Sequence, residues 1–167
     1  GIDNVEVVTA SSEEYVATTT EHFDWIFADP DRRSDTGRKM VCMEECSPNI
    51  IALMPRLRKI SNRQAIKLSP MFDCEEAFRL LSPSTVEVVS IAGECKELNI
   101  YTPSERDMLR IAIVGRGEWL FEPSAMHAEP TRSTFDPLAY RYMIIPDVTL
   151  QKARVAIAAL IQSASIW

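Results

Sequence analysis

Phe23-Asp24-Trp25-Ile26-Phe27-Ala28-Asp29-Pro30-Asp31-Arg32-Arg33 is the stretch that decides the fold. Residues 23–28 form a compact apolar run with the length of a buried strand. Asp29-Pro30 stops it, because proline has no amide hydrogen to give to a central ladder. In open α/β sheets ligands bind beyond the carboxyl ends of the strands, so a strand ending in Asp-Pro delivers a carboxylate and a free carbonyl into that crevice. Alone, Asp-Pro is a common turn, and a turn is the more frequent reading of it. The next strand changes the balance. Residues 65–68 end on Lys67-Leu68-Ser69-Pro70, a second proline stop. Two neighbouring strand ends then present Asp29 and Lys67 at one rim.

Outward from this centre, strands alternate with short helices. Residues 5–8 (Val-Glu-Val-Val) read as a strand, with Ser11 one strand further along the rim. Ser11 or Ser12 opens a helix to Thr20. Ser47 reads as an N-cap with Pro48 in the first helical position, and Ile50, Ile51, Leu53, Met54 and Leu57 supply an apolar face. Asp73 caps a helix over 74–81, with Glu75 and Glu76 in its favourable first turn. Residues 86–92 read as a strand, Gly93 turns the chain, and 98–101 return antiparallel. Such alternation predicts crossover units and a mostly parallel sheet, closed by an antiparallel hairpin. After Thr102-Pro103-Ser104 the pattern changes. Residues 110–114 and 119–121 form a hairpin about Gly115-Arg116-Gly117, 140–145 read as a third strand, and Asp147 caps a last helix through Gln162. The expected organisation is an α/β unit over 1–104, then a small α+β module over 105–167.

Composition sets limits. The chain has 167 residues, 46% of them hydrophobic and 25% charged, with a net charge of −6, so it has room for a core and no general affinity for phosphate. The charge is uneven: Arg32 to Lys67 holds nine basic residues against three acids, leaving −12 elsewhere. Arg56, Arg58 and Lys59 suit the negative end of a helix, while Arg32, Arg33, Arg38 and Lys39 surround the loop that leaves Asp29. Four cysteines without a CxxC pair and two histidines supply no metal site. The cysteines read as reduced thiols in a cytoplasmic protein. The apolar run 155–161 is too short to span a bilayer.

Asp29-Pro30 after a strand starting Phe23-Asp24 resembles motif IV of class I S-adenosylmethionine-dependent methyltransferases. Asp29-Pro30-Asp31-Arg32-Arg33, Gly37-Arg38-Lys39 and Glu44-Glu45-Cys46-Ser47-Pro48-Asn49 more closely resemble a bacterial family that carries a THUMP-like domain after its methyltransferase core. The similarity continues through Lys67-Leu68-Ser69-Pro70-Met71-Phe72-Asp73 and Gly93-Glu94-Cys95-Lys96-Glu97-Leu98, and more loosely at Tyr142-Met143-Ile144-Ile145-Pro146-Asp147.

The resemblance implies a Rossmann-like sheet in which 5–8, 23–28 and 65–68 are strands three, four and five, and 86–101 is the closing hairpin. The first two strands of that sheet, with the glycine loop and the ribose-binding acid, then lie outside the chain, which also begins at Gly1 without methionine. The expectation is a fragment that binds S-adenosylmethionine weakly by itself and exposes an unpaired edge at 23–28 open to self-association. Asp29, Pro30 and Lys67 are the implied catalytic positions, and Ser11 and Asp29 the cofactor contacts. Ser11 stands where such enzymes often place an acid against the adenine amine. Arg32, Arg33, Arg38 and Lys39 are the implied substrate contacts, with RNA the implied partner. Asp31 and Arg32 stand where amino-methylating relatives carry an aromatic residue, so Arg32 and Arg33 serve either to stack on a base or to hold phosphate. Glu94–Glu97 reads equally as a rim contact or a solvated turn. The alternative for the whole chain is a non-catalytic α/β interaction domain without a cofactor site.

Overall fold

Alternation of apolar and polar residues in the central strands dictates which face of the sheet is buried. A computed structural model of the protein describes residues 3–31, 43–129, 138 and 141–164. Arg32, Arg33, Arg38, Lys39, Cys42, Tyr140 and Trp167 lie outside the described residues. The first half comprises α1 (Ser12–Thr18), β1 (Ile26–Ala28), α2 (Ile50–Ile60), β2 (Gln64–Leu68) and α3 (Cys74–Leu81). Then follow β3 (Thr85–Ile91), β4 (Glu94–Thr102), β5 (Met108–Ile113), β6 (Gly117–Phe121), α4 (Val148–Lys152) and α5 (Ala156–Ala164).

The strands form one sheet in the order β1-β2-β4-β3-β5-β6. β1 pairs with β2 and β3 with β5 in parallel, while β4 and β6 run against their neighbours. Four strands therefore point one way. The closing hairpin inserts β4 between β2 and β3, and β5 and β6, beyond residue 104, join the same sheet. Ala92 and Gly93 both have positive φ, the conformation that a two-residue turn between twisted strands requires.

Val86, Val88, Leu98, Ile100, Leu109 and Ile111 alternate onto one face and are fully buried. Side chains of this kind stabilise by about 1.5–3 kcal/mol each on burial, so the three middle strands anchor the core. α3 brings Ala77, Phe78 and Leu81 to it, and α4 packs across β3, β4 and β5. The opposite face is polar: Lys67, Asn99, Glu87 and Arg110 lie side by side in register across β2, β4, β3 and β5. No helix among the described residues is long and apolar enough to cross a membrane.

Several expectations need correction. Residues 5–8 form no strand, and Val5, Val7 and Val8 are exposed. Their sequence suits a strand, but no described strand lies alongside to pair with them. For the same reason 141–145 form no strand, and Tyr142 to Ile145 stand in solvent. The strand expected over 23–28 narrows to Ile26–Ala28, with Phe23 making an isolated bridge to Ser61. α2 starts later than Ser47-Pro48 because Asn49 is the N-cap and accepts from the Ala52 amide at 3.0 Å. Ser47 instead bridges Asp31. The last helix is two, α4 and α5, separated where Arg154 takes a φ of +57°.

Asp147 holds the first of those two helices in place. Its Oδ1 accepts from the Thr149 amide at 3.0 Å, the Thr149 hydroxyl at 2.8 Å and the Ser90 hydroxyl at 2.9 Å. Burial pushes its carboxyl pKa up, but these three donors, together with the charge of Arg116, outweigh it and the net shift is downward. A carboxyl lowered on folding stabilises fully above its unfolded value, about 3.9, and that contribution disappears as pH falls through the folded value. Asp147→Ala is expected to cost about 1–2 kcal/mol at pH 7. Urea unfolding at pH 7 and pH 3 should show the gap to the wild type closing in acid.

Candidate functional site

Both strands of the first parallel pair end at a proline, and that places the site. β1 leads into Asp29-Pro30, β2 into Ser69-Pro70, and Phe27 lies opposite Ala65. The two chains therefore leave the sheet side by side at its carboxyl edge. Lys67 Nζ donates to Asp29 Oδ2 at 2.7 Å, with the side chains 33% and 54% exposed. An ion pair this open contributes under about 1 kcal/mol to stability, so what it provides is placement.

A cleft of about 410 Å³ opens beside this pair, lined by Asp29, Asp31, Lys67, Ser69, Phe72 and Lys96 among others. Pro30 is buried at its base. The Asp31 amide donates to the Ser47 carbonyl at 2.8 Å and the Ser47 amide returns to Asp31 at 3.0 Å, tying the exit of β1 to the segment before α2. On the other wall the Phe72 amide donates to the Ser69 carbonyl at 3.1 Å, and Met71 donates to the Ser69 hydroxyl at 3.3 Å. These bonds turn the chain sharply so that the buried Phe72 ring backs the cleft. Lys96 arrives from β4 and is paired with Glu94.

The structure thus brings together Asp29, Pro30 and Lys67. Ser11 does not join them. It is the N-cap of α1, where its hydroxyl accepts from the Glu14 amide at 3.1 Å and Glu14 answers to the Ser11 amide, so its side chain is engaged in a capping box. Arg32, Arg33, Arg38 and Lys39 lie outside the described residues, as does the Glu44 side chain. Phe72 carried no sign of its place: an apolar residue after Ser-Pro-Met reads as core until the turn is known. Cys74 stands just beyond that wall, and burial pushes its thiol up to about 11. It is a protonated thiol at neutral pH and not a nucleophile.

What remains is a carboxylate and an ammonium at hydrogen-bonding distance in an open, polar cleft at the carboxyl ends of parallel strands. Asp29 can accept a hydrogen bond or a proton there, and its negative charge suits a cationic group. The sheet, four of its strands parallel and the cleft at their carboxyl ends, has a Rossmann-like α/β fold. The chain is similar in structure to a protein of Porphyromonas gingivalis W83, provisionally designated a methyltransferase, with a TM-score of 0.69 and 22% identity over 90% of this chain and 39% of that one. The present chain thus spans well under half of the length of that structure. At that identity the likeness speaks for the fold. No protein-family model matches the chain, and no curated protein does.

Proposed function

We propose that this chain forms the methyl-acceptor side of a cytoplasmic, S-adenosylmethionine-dependent RNA methyltransferase. The observation that carries the proposal is the meeting of Asp29 and Lys67 in a cleft at the carboxyl ends of adjacent parallel strands. S-adenosylmethionine, when bound, supplies an electrophilic methyl group. Asp29 accepts a hydrogen bond from the attacking N–H or O–H and takes its proton, while Lys67 orients the carboxylate. The wall at Ser69 and Phe72 restricts water on one side. Of the proposed cofactor contacts, Asp29 fits by charge. Ser11, already engaged in its capping box, contributes little. The likeness to a methyltransferase structure supports the class of reaction, and the resemblance to the THUMP-bearing family supports RNA as acceptor.

Arg32, Arg33, Arg38 and Lys39 would hold nucleic-acid backbone beside the transferred methyl. Phosphate contacts position without reading sequence, and each adds to the salt dependence of binding. Arg32→Ala/Arg33→Ala, in protein expressed from the complete coding sequence, should weaken RNA binding and flatten its salt slope by about two, with cofactor affinity unchanged. Filter binding from low to high salt measures this. Lost thermal stability with an unaltered slope would mean that the arginines brace the loop internally.

A second reading is favoured by one feature. β1 is an edge strand whose Phe27 is 66% exposed, and such an edge suits pairing with another polypeptide. On this reading the chain is an interaction domain, or associates with itself through β1. Phe27→Lys should then abolish any concentration-dependent association seen by light scattering.

A further inference from the structure

Arg154 separates α4 from α5 in the left-handed region of backbone space, at a φ of +57°. Few residues other than glycine settle there, and glycine would do so without strain. Yet the chain carries arginine. On either side of it Ala153 and Val155 are buried in the core, so the guanidinium starts from a fixed point. Its Nη1 donates to Glu75 Oε2 at 2.9 Å and its Nη2 to Asp73 Oδ2, across about 80 residues of sequence. His127 Nε2 stands 3.1 Å from the other oxygen of Glu75. Two separate segments thus converge on the start of α3.

That start is also the end of the cleft wall. Asp73 caps α3 through the amides of Glu75 at 2.8 Å and Glu76 at 3.3 Å. It directly follows Phe72, whose ring lines the cleft that Asp29 and Lys67 share. Burial pushes the Asp73 carboxyl up, but the bond from Arg154, the two amides and the Arg154 charge prevail and bring it down. We propose that Arg154 is a positioning residue for the Asp29–Lys67 cleft, fixing the Ser69–Phe72 wall from the break between α4 and α5. The proposal rests on the reading of that cleft as the functional site. A forked guanidinium engages two carboxylates at once with fixed geometry, which a lysine ammonium cannot do. This accounts for an arginine at a backbone position that favours glycine. The C-terminal helices thereby become part of the site's architecture without touching its ligand.

Arg154→Gly is the decisive variant, because it relieves the backbone while removing the fork. Hydrogen–deuterium exchange should show amides 71–76 exchanging several-fold faster than in the wild type, with protection of the β3–β4 hairpin unchanged. Arg154→Lys should fall between the two. Acylation by the N-hydroxysuccinimide ester of acetic acid, followed by peptide mass spectrometry, reads the cleft directly. Lys67 should react several-fold faster in Arg154→Gly while Lys59 serves as the unchanged control. Exchange at 71–76 equal to wild type, faster exchange spread over the whole sheet, a lysine variant as fast as the glycine one, or unaltered Lys67 reactivity would each overturn the proposal. Neither readout uses a methyl donor. A failed brace therefore leaves the proposed activity standing, and absent methyl transfer leaves the brace standing.

Discussion

Asp29→Asn, in protein expressed from the complete coding sequence, is expected to lose methyl transfer by about 10²–10⁴-fold. Asparagine keeps the shape and one acceptor oxygen of aspartate but cannot take a proton or carry charge. The fold should survive, because Asp29 is half exposed and its pair with Lys67 adds little stability. Single-turnover rates with a methyl-labelled donor measure the loss, and unfolding curves confirm the fold. A variant within threefold of the wild type would show that the carboxylate has no part in the reaction. Lys67→Met should have a smaller effect, since it leaves the carboxylate in place and removes only its orienting partner.

The second large effect lies in stability. Glu87 is only 6% exposed although it is charged. Its carboxylate takes Arg110 Nη1 at 3.0 Å, Asn99 Nδ2 at 3.1 Å and the Tyr101 hydroxyl at 3.1 Å. Removing one partner of a buried pair costs about 3–5 kcal/mol, because the other charge is left uncompensated. Arg110→Met should fall at or below the lower limit, about 2–3 kcal/mol, since Arg110 is itself partly exposed and also pairs with Glu118. Replacing both partners, Glu87→Leu with Arg110→Met, should recover most of the loss. Guanidinium unfolding of the single and double variants decides the matter. A single variant costing under about 0.5 kcal/mol would mean that the pair behaves as a surface contact.

The parts of the fold legible in the sequence are those in which a local pattern meets a stop. Residues 65–68 before Pro70, 86–92 before Gly93 and the glycine-flanked turn at 115–117 all announce their ends, and their strands form nearly as expected. Residues 5–8 and 141–145 have the composition of strands too. A strand exists only through its partner, however, and none of the described strands runs beside either segment. The break at Arg154 was hidden for another reason. The apolar pattern runs on through Val155 as one helix would, whereas the chain closes α4 with a left-handed cap at Arg154, the Val155 amide donating to the Leu150 carbonyl at 3.0 Å and the Arg154 amide to the Gln151 carbonyl at 3.1 Å.

The site follows the same rule. Asp29 and Lys67 were legible because each lies beside a proline stop, and parallel neighbours stop on one side of a sheet. Phe72 reaches the cleft through a turn, and Lys96 through a strand inserted between β2 and β3. Neither position follows from nearby residues. Ser11 shows the converse. Its place near a strand end suggested a ligand contact, but the expected strand is absent and Glu14 three residues on gives it a cap to make.

Ultraviolet crosslinking of methyl-labelled S-adenosylmethionine to protein expressed from the complete coding sequence tests the central claim most directly. If methyl transfer takes place between Asp29 and Lys67, saturable label should appear in the peptides that contain residues 23–31 or 67–72. Excess unlabelled S-adenosylhomocysteine should remove it. Label confined to other peptides, or no saturable label, would contradict the placement of methyl transfer in this cleft.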